Sequence, residues 1–174
     1  MSQNLSVVAA QAAIGRRRLV LAASLLIAGC ATTNSNTTPF DPQTGPWSGR
    51  LSLRVESDPP QSFSVAFELS GNAHEGQLTL TSPLGSTVAE LRWQPAGAVL
   101  VQNGGERHYD SADRMIEQTT GAAIPMQALF AWLRGEHANV EGWQADLSRW
   151  NEGRLAARRQ SPPPEAELRL ILDH

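Results

Sequence analysis

From Trp47 onward the apolar residues of this chain fall on every second position. Leu51, Leu53 and Val55 alternate with Ser52 and Arg54. Phe63, Val65, Phe67 and Leu69 alternate with Ser64, Ala66 and Glu68. Leu78 and Leu80 flank Thr79, Ala89, Leu91 and Trp93 flank Glu90 and Arg92, and Val99 and Val101 follow. A period of two places each set on one face of a strand. Turn residues separate the sets: Asp58-Pro59-Pro60, Gly71-Asn72, Pro83-Leu84-Gly85, Pro95-Ala96-Gly97 and Asn103-Gly104-Gly105. Short strands at this spacing predict an antiparallel meander with one dry face.

Around Ser111 the period changes. Ser111 is placed to cap a short helix that runs to about Thr119, with Met115 and Ile116 as its apolar residues and Gly121 as its stop. Pro125 then opens a second helix, as proline does in a first turn. Met126, Leu129, Phe130 and Leu133 form its apolar stripe, Trp132 stands beside the stripe, and Gly135 ends the helix. Strands resume with Trp143, Ala145 and Leu147, then Leu155 and Ala157, and after the loop Pro162–Pro164 with Leu168, Leu170 and Leu172. The order strands, two helices, strands predicts a mainly β fold in which a curved antiparallel sheet is covered on its apolar face by a helical lid. The apolar rows then either fill a core or line a cavity for a hydrophobic ligand, and periodicity does not separate the two.

The first 46 residues follow a different pattern. Arg16–Arg18 precede an apolar run, Leu19 to Ala28, which ends in Ile27-Ala28-Gly29-Cys30. A basic segment, about ten apolar residues and small residues before a cut describe a secretory signal. The run is too short for a bilayer-spanning helix, which needs roughly 20 residues. Cys30, the single cysteine, directly follows the small pair, and the run resembles the lipobox of bacterial lipoproteins, in which the cysteine is acylated and becomes the new N-terminus. Residues 31–46, rich in Thr, Asn and Pro, read as a tether spanning about 20–25 Å as a coil. The expected organisation is a signal peptide at 1–29, a lipidated N-terminus and tether at 30–46, and one domain at 47–174.

Composition narrows the function. All 17 acidic residues, but only 11 of the 14 arginines, lie beyond the leader. A mature chain this acidic gives no support to nucleic-acid binding and offers no polybasic stripe for anionic lipid. His74, His108, His137 and His174 stand apart without metal-ligand spacing. The sequence holds no Gly-x-Ser-x-Gly elbow, phosphate loop or dinucleotide fingerprint. No catalytic residue, metal or cofactor is therefore expected.

Ser82-Pro83-Leu84-Gly85-Ser86-Thr87 lies between two strands. Proline and glycine on either side of Leu84 force a tight turn, which leaves the leucine either at a rigid tip, as a membrane wedge, or folded back on the sheet. Here the chain resembles the LolB family of outer-membrane lipoprotein receptors. The resemblance rests on the lipobox at Cys30, Trp47 with Gly49-Arg50-Leu51, the turn Pro83-Leu84-Gly85-Ser86, Gly121 with Ile124-Pro125, and Leu129 with Trp132 and Gly135, in order across about Trp47 to Leu172.

The resemblance implies an unclosed β-barrel lidded by helices around a hydrophobic cavity. It implies a monomeric receptor in the outer membrane, facing the periplasm, that accepts acylated lipoproteins from the soluble carrier LolA and releases them into outer-membrane lipid. Cys30 falls on the family's anchored cysteine, carrying an N-acyl group and an S-diacylglycerol, and Ala31 is compatible with the outer membrane. The family's protruding leucine, linked to membrane insertion, falls on Leu84 between Pro83 and Gly85. Candidates for the acyl-chain cavity are Phe63, Val65, Phe67, Leu78, Leu80, Leu91, Trp93, Val99 and Val101 from the strands, and Met115, Ile116, Leu129, Phe130 and Leu133 from the lid. One departure stands out: relatives carry a helix before the first strand, whereas Phe40 to Pro46, with Pro42 and Pro46, is too short for one. The competing classes are an envelope scaffold with a fully packed core and an envelope hydrolase whose site is assembled from distant residues.

Overall fold

The computed structural model describes residues 40–173. The expected signal peptide at 1–29, Cys30, residues 31–39 of the expected tether and His174 lie outside the described residues. Among the described residues nine strands form one sheet: β1 (Trp47–Val55), β2 (Gln61–Gly71), β3 (Gly76–Thr81), β4 (Thr87–Gln94), β5 (Gly97–Gln102), β6 (Gly105–Tyr109), β7 (Trp143–Asp146), β8 (Arg154–Arg159) and β9 (Ala166–Leu172). Their spatial order is β6-β5-β4-β3-β2-β1-β9-β8-β7, with every neighbouring pair antiparallel. Neighbours in space are neighbours in sequence except for β1 with β9, which sets Leu53 opposite Leu168 and Leu51 opposite Leu170. β6 and β7 are the two edges and do not pair with each other, so the sheet is open. The helices α1 (Ala112–Thr120) and α2 (Met126–Leu133) carry the chain from one edge to the other.

The two faces of the sheet differ as alternation requires. Leu53, Phe67, Leu91, Leu100 and Leu168 are buried on the inner face, while Arg54, Glu68, Arg92 and Arg169 are exposed on the outer one. On that outer face Glu167 lies between Arg158 (2.6 Å) and Arg169 (2.8 Å). Partial burial raises its pKa, and the two guanidinium hydrogen bonds more than reverse this, so it ionises below the ordinary glutamate range. Such exposed pairs contribute little to stability. The fold rests on the inner face and its helices.

The two helix starts are satisfied in different ways. Ser111 Oγ accepts the Arg114 N–H at 3.2 Å, and Gly121 closes α1 in the left-handed conformation, donating its N–H to Glu117 O. Pro125 brings no side-chain cap to α2; the Asp113 carboxylate of α1 accepts the Met126 N–H at 3.0 Å instead. This bond links the two helices into one piece of cover.

α2 is buried almost all round, which corrects the expectation of a one-sided stripe. Trp132 is completely buried rather than beside the stripe, 5.9 Å from the Trp143 ring. Phe130 packs at 5.6 Å from Trp47 and 6.2 Å from Trp93. On the far side a single 3-10 turn, Trp150–Glu152, closes over the helix, and Trp150 Nε1 donates to Leu133 O at 3.1 Å. Gly135 makes this contact possible: its φ is +76°, and a Cβ there would stand 2.8 Å from the Trp150 ring. Gly135→Ala is expected to cost about 1–3 kcal/mol. Chemical denaturation should show a lower midpoint with an unchanged slope.

Three further features depart from expectation. β6, with the sequence Gly-Glu-Arg-His-Tyr, carries no alternation that would mark it: as an edge strand it is largely exposed on both faces. Val99 and Val101 face outward, whereas Ala98 and Leu100 occupy the inner face, because β5 pairs with Leu91 opposite Leu100 and Trp93 opposite Ala98. Residues 40–46, expected in the tether, are pinned to the domain. Asp41 and Gly45 exchange backbone hydrogen bonds at 2.8 and 2.7 Å, Thr44 O accepts the Gly71 N–H, and Phe40 stacks edge-on against Trp47. A tight turn therefore precedes β1 where relatives are expected to carry a helix.

Candidate functional site

The inner face is filled at one end and hollow at the other. Trp47, Phe67, Leu69, Trp93 and Phe130 pack the end where β2 finishes. Toward the start of β2 the side chains become mostly aliphatic, with Phe63 among them, and leave a cavity of about 320 Å³. Its wall comprises Leu51, Leu53, Phe63, Val65, Leu78, Leu80, Val88, Ala89, Leu91, Leu100 and Leu168 from the strands. Ile116, Thr119, Thr120 and Leu129 from the helices and Ile124 from the connection between them close it, and Gln61 and Gln102 stand at the strand ends. Register explains the grouping: Leu51 faces Val65, Leu78 faces Leu91, Leu80 faces Ala89, and Leu91 faces Leu100. The grooves of about 430 and 590 Å³ on the outer face differ in kind, being lined by Arg50, Arg154 and Arg169 in one case and by Arg92, Glu106 and His108 in the other.

Among the described residues no ionisable side chain lines the inner cavity. Occupation by an apolar chain is expected to be flat between about pH 5 and 8, where histidine is the side chain that ordinarily titrates. Titrations of a fluorescent acyl probe across that range check this. Among the described residues no three His, Cys, Asp or Glu side chains come together in a metal-binding group.

The expected cavity residues divide into three sets. Phe63, Val65, Leu78, Leu80, Leu91, Ile116 and Leu129 line the space. Phe67, Trp93, Met115, Phe130 and Leu133 are core, with Met115 completely buried, and fill the volume beside the cavity. Val99 and Val101 are corrected: Val99 borders the outer groove of Arg92 and His108, and Val101 lies opposite Glu90 on the same outer face. Residues not anticipated as lining include Leu51, Leu53 and Leu168, whose alternation carried the needed signal, and Leu100, hidden in the all-apolar run Ala98–Val101. Val88 reaches the cavity near the register shift at Leu80/Thr81, for which the sequence carries no mark.

Leu84 is the most exposed large apolar residue described, at 94%. Its turn is fixed from within. Ser82 N donates to Ser86 O at 2.8 Å, Gly85 N to Ser82 O at 2.9 Å, and Ser86 N to Ser82 Oγ at 3.3 Å. Gly85 supplies the φ of +84° that this tight closure demands. The leucine thus stands out at a rigid tip instead of folding back on the sheet. In an antiparallel meander, alternate turns share an end. The β1–β2, β3–β4 and β5–β6 turns therefore lie together, and Gln61, Gln102 and Leu84 all belong to that end. The cavity's polar rim and the protruding leucine are on the same side of the molecule, while β1 starts at the opposite side.

The sequence matches the family described as "Outer membrane lipoprotein LolB" over residues 46–169. Relatives bearing the name outer-membrane lipoprotein LolB include one from Bordetella petrii, 31% identical over 181 aligned positions that cover 87% of this chain and 90% of the relative. A second, from Pectobacterium atrosepticum, is 33% identical over 132 positions (68% of this chain, 64% of the relative). A third, from Yersinia pestis, is 33% identical over 143 positions (74% and 69%). A family match that runs from the turn before β1 into β9, with relatives aligned over most of the chain, establishes that this protein belongs to the LolB family.

Proposed function

We propose that this protein is an outer-membrane-anchored receptor that takes acylated lipoproteins from the periplasmic carrier LolA, shelters their acyl chains between sheet and helices, and releases them into the outer membrane. Cys30 carries the lipid anchor and the domain faces the periplasm. The observation that carries this reading is the apolar cavity without charged lining, with its polar rim at the end that holds Leu84.

The physical task is transfer without bond chemistry. Each methylene of an acyl chain kept from water is worth about 0.8 kcal/mol, so spontaneous passage through water is very slow. A protein cavity lowers that barrier. Net direction needs only that the receptor hold the chains more tightly than the carrier and less tightly than the bilayer, and a difference of about 1.4 kcal/mol gives tenfold. Aliphatic walls meet this need because they bind by area rather than by fixed polar geometry. The cavity of about 320 Å³ sits at the lower end of ligand-site volumes. A cargo with three chains therefore requires the cover to lift, and the Asp113–Met126 bond ties the start of α2 to α1. The anchor keeps the receptor concentrated at its acceptor membrane.

The test is to mix a LolA–lipoprotein complex with this chain carrying Cys30→Ala and to follow the cargo by co-purification. Cargo should move to this protein. Cargo that stays with LolA at excess receptor would defeat the reading and favour a scaffold.

A further inference from the structure

Two adjacent threonines end α1, and they are used differently. The Thr120 hydroxyl lies 2.8 Å from Ile116 O and 3.1 Å from Ala122 O, and it accepts the Ala122 N–H at 3.2 Å. Its role is to close the helix. Thr119 Oγ1 is buried and has no hydrogen-bond partner. Thr119 also lines the cavity, whose walls are otherwise mostly C–H groups. A buried hydroxyl without a partner is unfavourable, and a valine of nearly the same shape would avoid the loss. At the rim stands Gln61, its Nε2 3.6 Å from where a Cβ on Gly121 would sit, which puts a second donor beside the end of α1.

We propose that Thr119 donates a hydrogen bond to the ester or amide carbonyl at the polar end of an acyl chain lodged in the cavity. The inference rests on the cavity being an acyl site and adds that the site recognises the acyl linkage as well as the hydrocarbon. A carboxylic ester carbonyl is an acceptor without a proton, which is the complement of an unpaired hydroxyl. Threonine in a helix populates two χ1 wells, so rotation turns the oxygen from its covered position toward an incoming carbonyl. The aliphatic walls then hold the chain while the rim fixes how deep it sits. In the empty domain the unpaired hydroxyl disfavours the closed cover, which eases entry.

The experiment uses the mature chain with Cys30→Ala and two probes with equal fluorescent chains, a diacylglycerol and its dialkyl ether analogue, which lacks the carbonyls. The parent protein should bind the ester about three- to tenfold more tightly than the ether. Thr119→Val should bind the two alike, and its empty form should melt about 2–4 °C higher. Thr119→Ser should keep the ester preference. Binding of both probes with no preference in the parent, or a preference surviving in Thr119→Val, would overturn the proposal while leaving the acyl cavity standing. Binding of neither probe would overturn the proposal together with the acyl-site reading on which it rests.

Discussion

Leu84→Glu should leave uptake of cargo from LolA unchanged and slow delivery into liposomes by roughly tenfold or more. A leucine moved from water into lipid gains about 1.5–3 kcal/mol. Glutamate forfeits that gain and adds the unfavourable transfer of a carboxylate. Loss of about 1.4 kcal/mol from the docked state that precedes release corresponds to tenfold. The separation of the two steps follows from position. Leu84 is 94% exposed and makes no part of the cavity wall, so its replacement disturbs neither the fold nor the chain-binding surface. Gly85 faces open space, with nothing within 4 Å of where a Cβ would stand, so the turn also has room to enter a headgroup layer. Single-turnover transfer, first from LolA to this protein and then from this protein to vesicles, separates the steps. A normal second step in the Glu variant would remove Leu84 from the mechanism.

Val65→Trp should abolish most acyl binding while the protein stays folded. Val65 is only half-buried and lines the cavity opposite Leu51, so an indole there occupies space that a chain would take. Displacing about four methylenes costs about 3 kcal/mol of binding, roughly a hundredfold. Val101→Trp is the matched control. Its side chain lies on the outer face opposite Glu90, and binding should remain at the parent value. Probe titration with both variants tests the cavity and the β5 register together. Equal loss in both would show that the register is wrong, and retention in Val65→Trp would place the ligand elsewhere.

What the sequence disclosed follows from where a local pattern meets a local constraint. β1, β2 and β4 declare themselves because charged or hydroxylated residues interrupt their apolar rows, as Arg54, Glu68 and Arg92 do. Ser111 and Gly121 mark α1 because capping is chemistry within one turn. β5 is different: Ala98-Val99-Leu100-Val101 is apolar throughout, and only pairing with Leu91 and Trp93 decides which residues face inward. β6 has no dry face and so no period. The turn at Asp41–Gly45 looks like tether because its stability comes from Gly71 and Trp47, which are distant in sequence or shared with the domain. The boundary between core and cavity was the least legible feature. Phe67 and Val65 lie on the same strand face, yet one packs against the aromatic end and the other lines the hollow. That difference depends on where α1 and α2 come to rest across the sheet, a tertiary outcome with no period of its own.

Receptor function requires the hollow beneath the helices to be a place for fatty chains. Native mass spectrometry of the mature Cys30→Ala chain, incubated with a synthetic triacylated lipopeptide, tests this most directly. One lipopeptide should be retained per chain, and Val65→Trp should lose it. A folded parent protein whose mass stays unshifted at saturating lipopeptide would contradict that role.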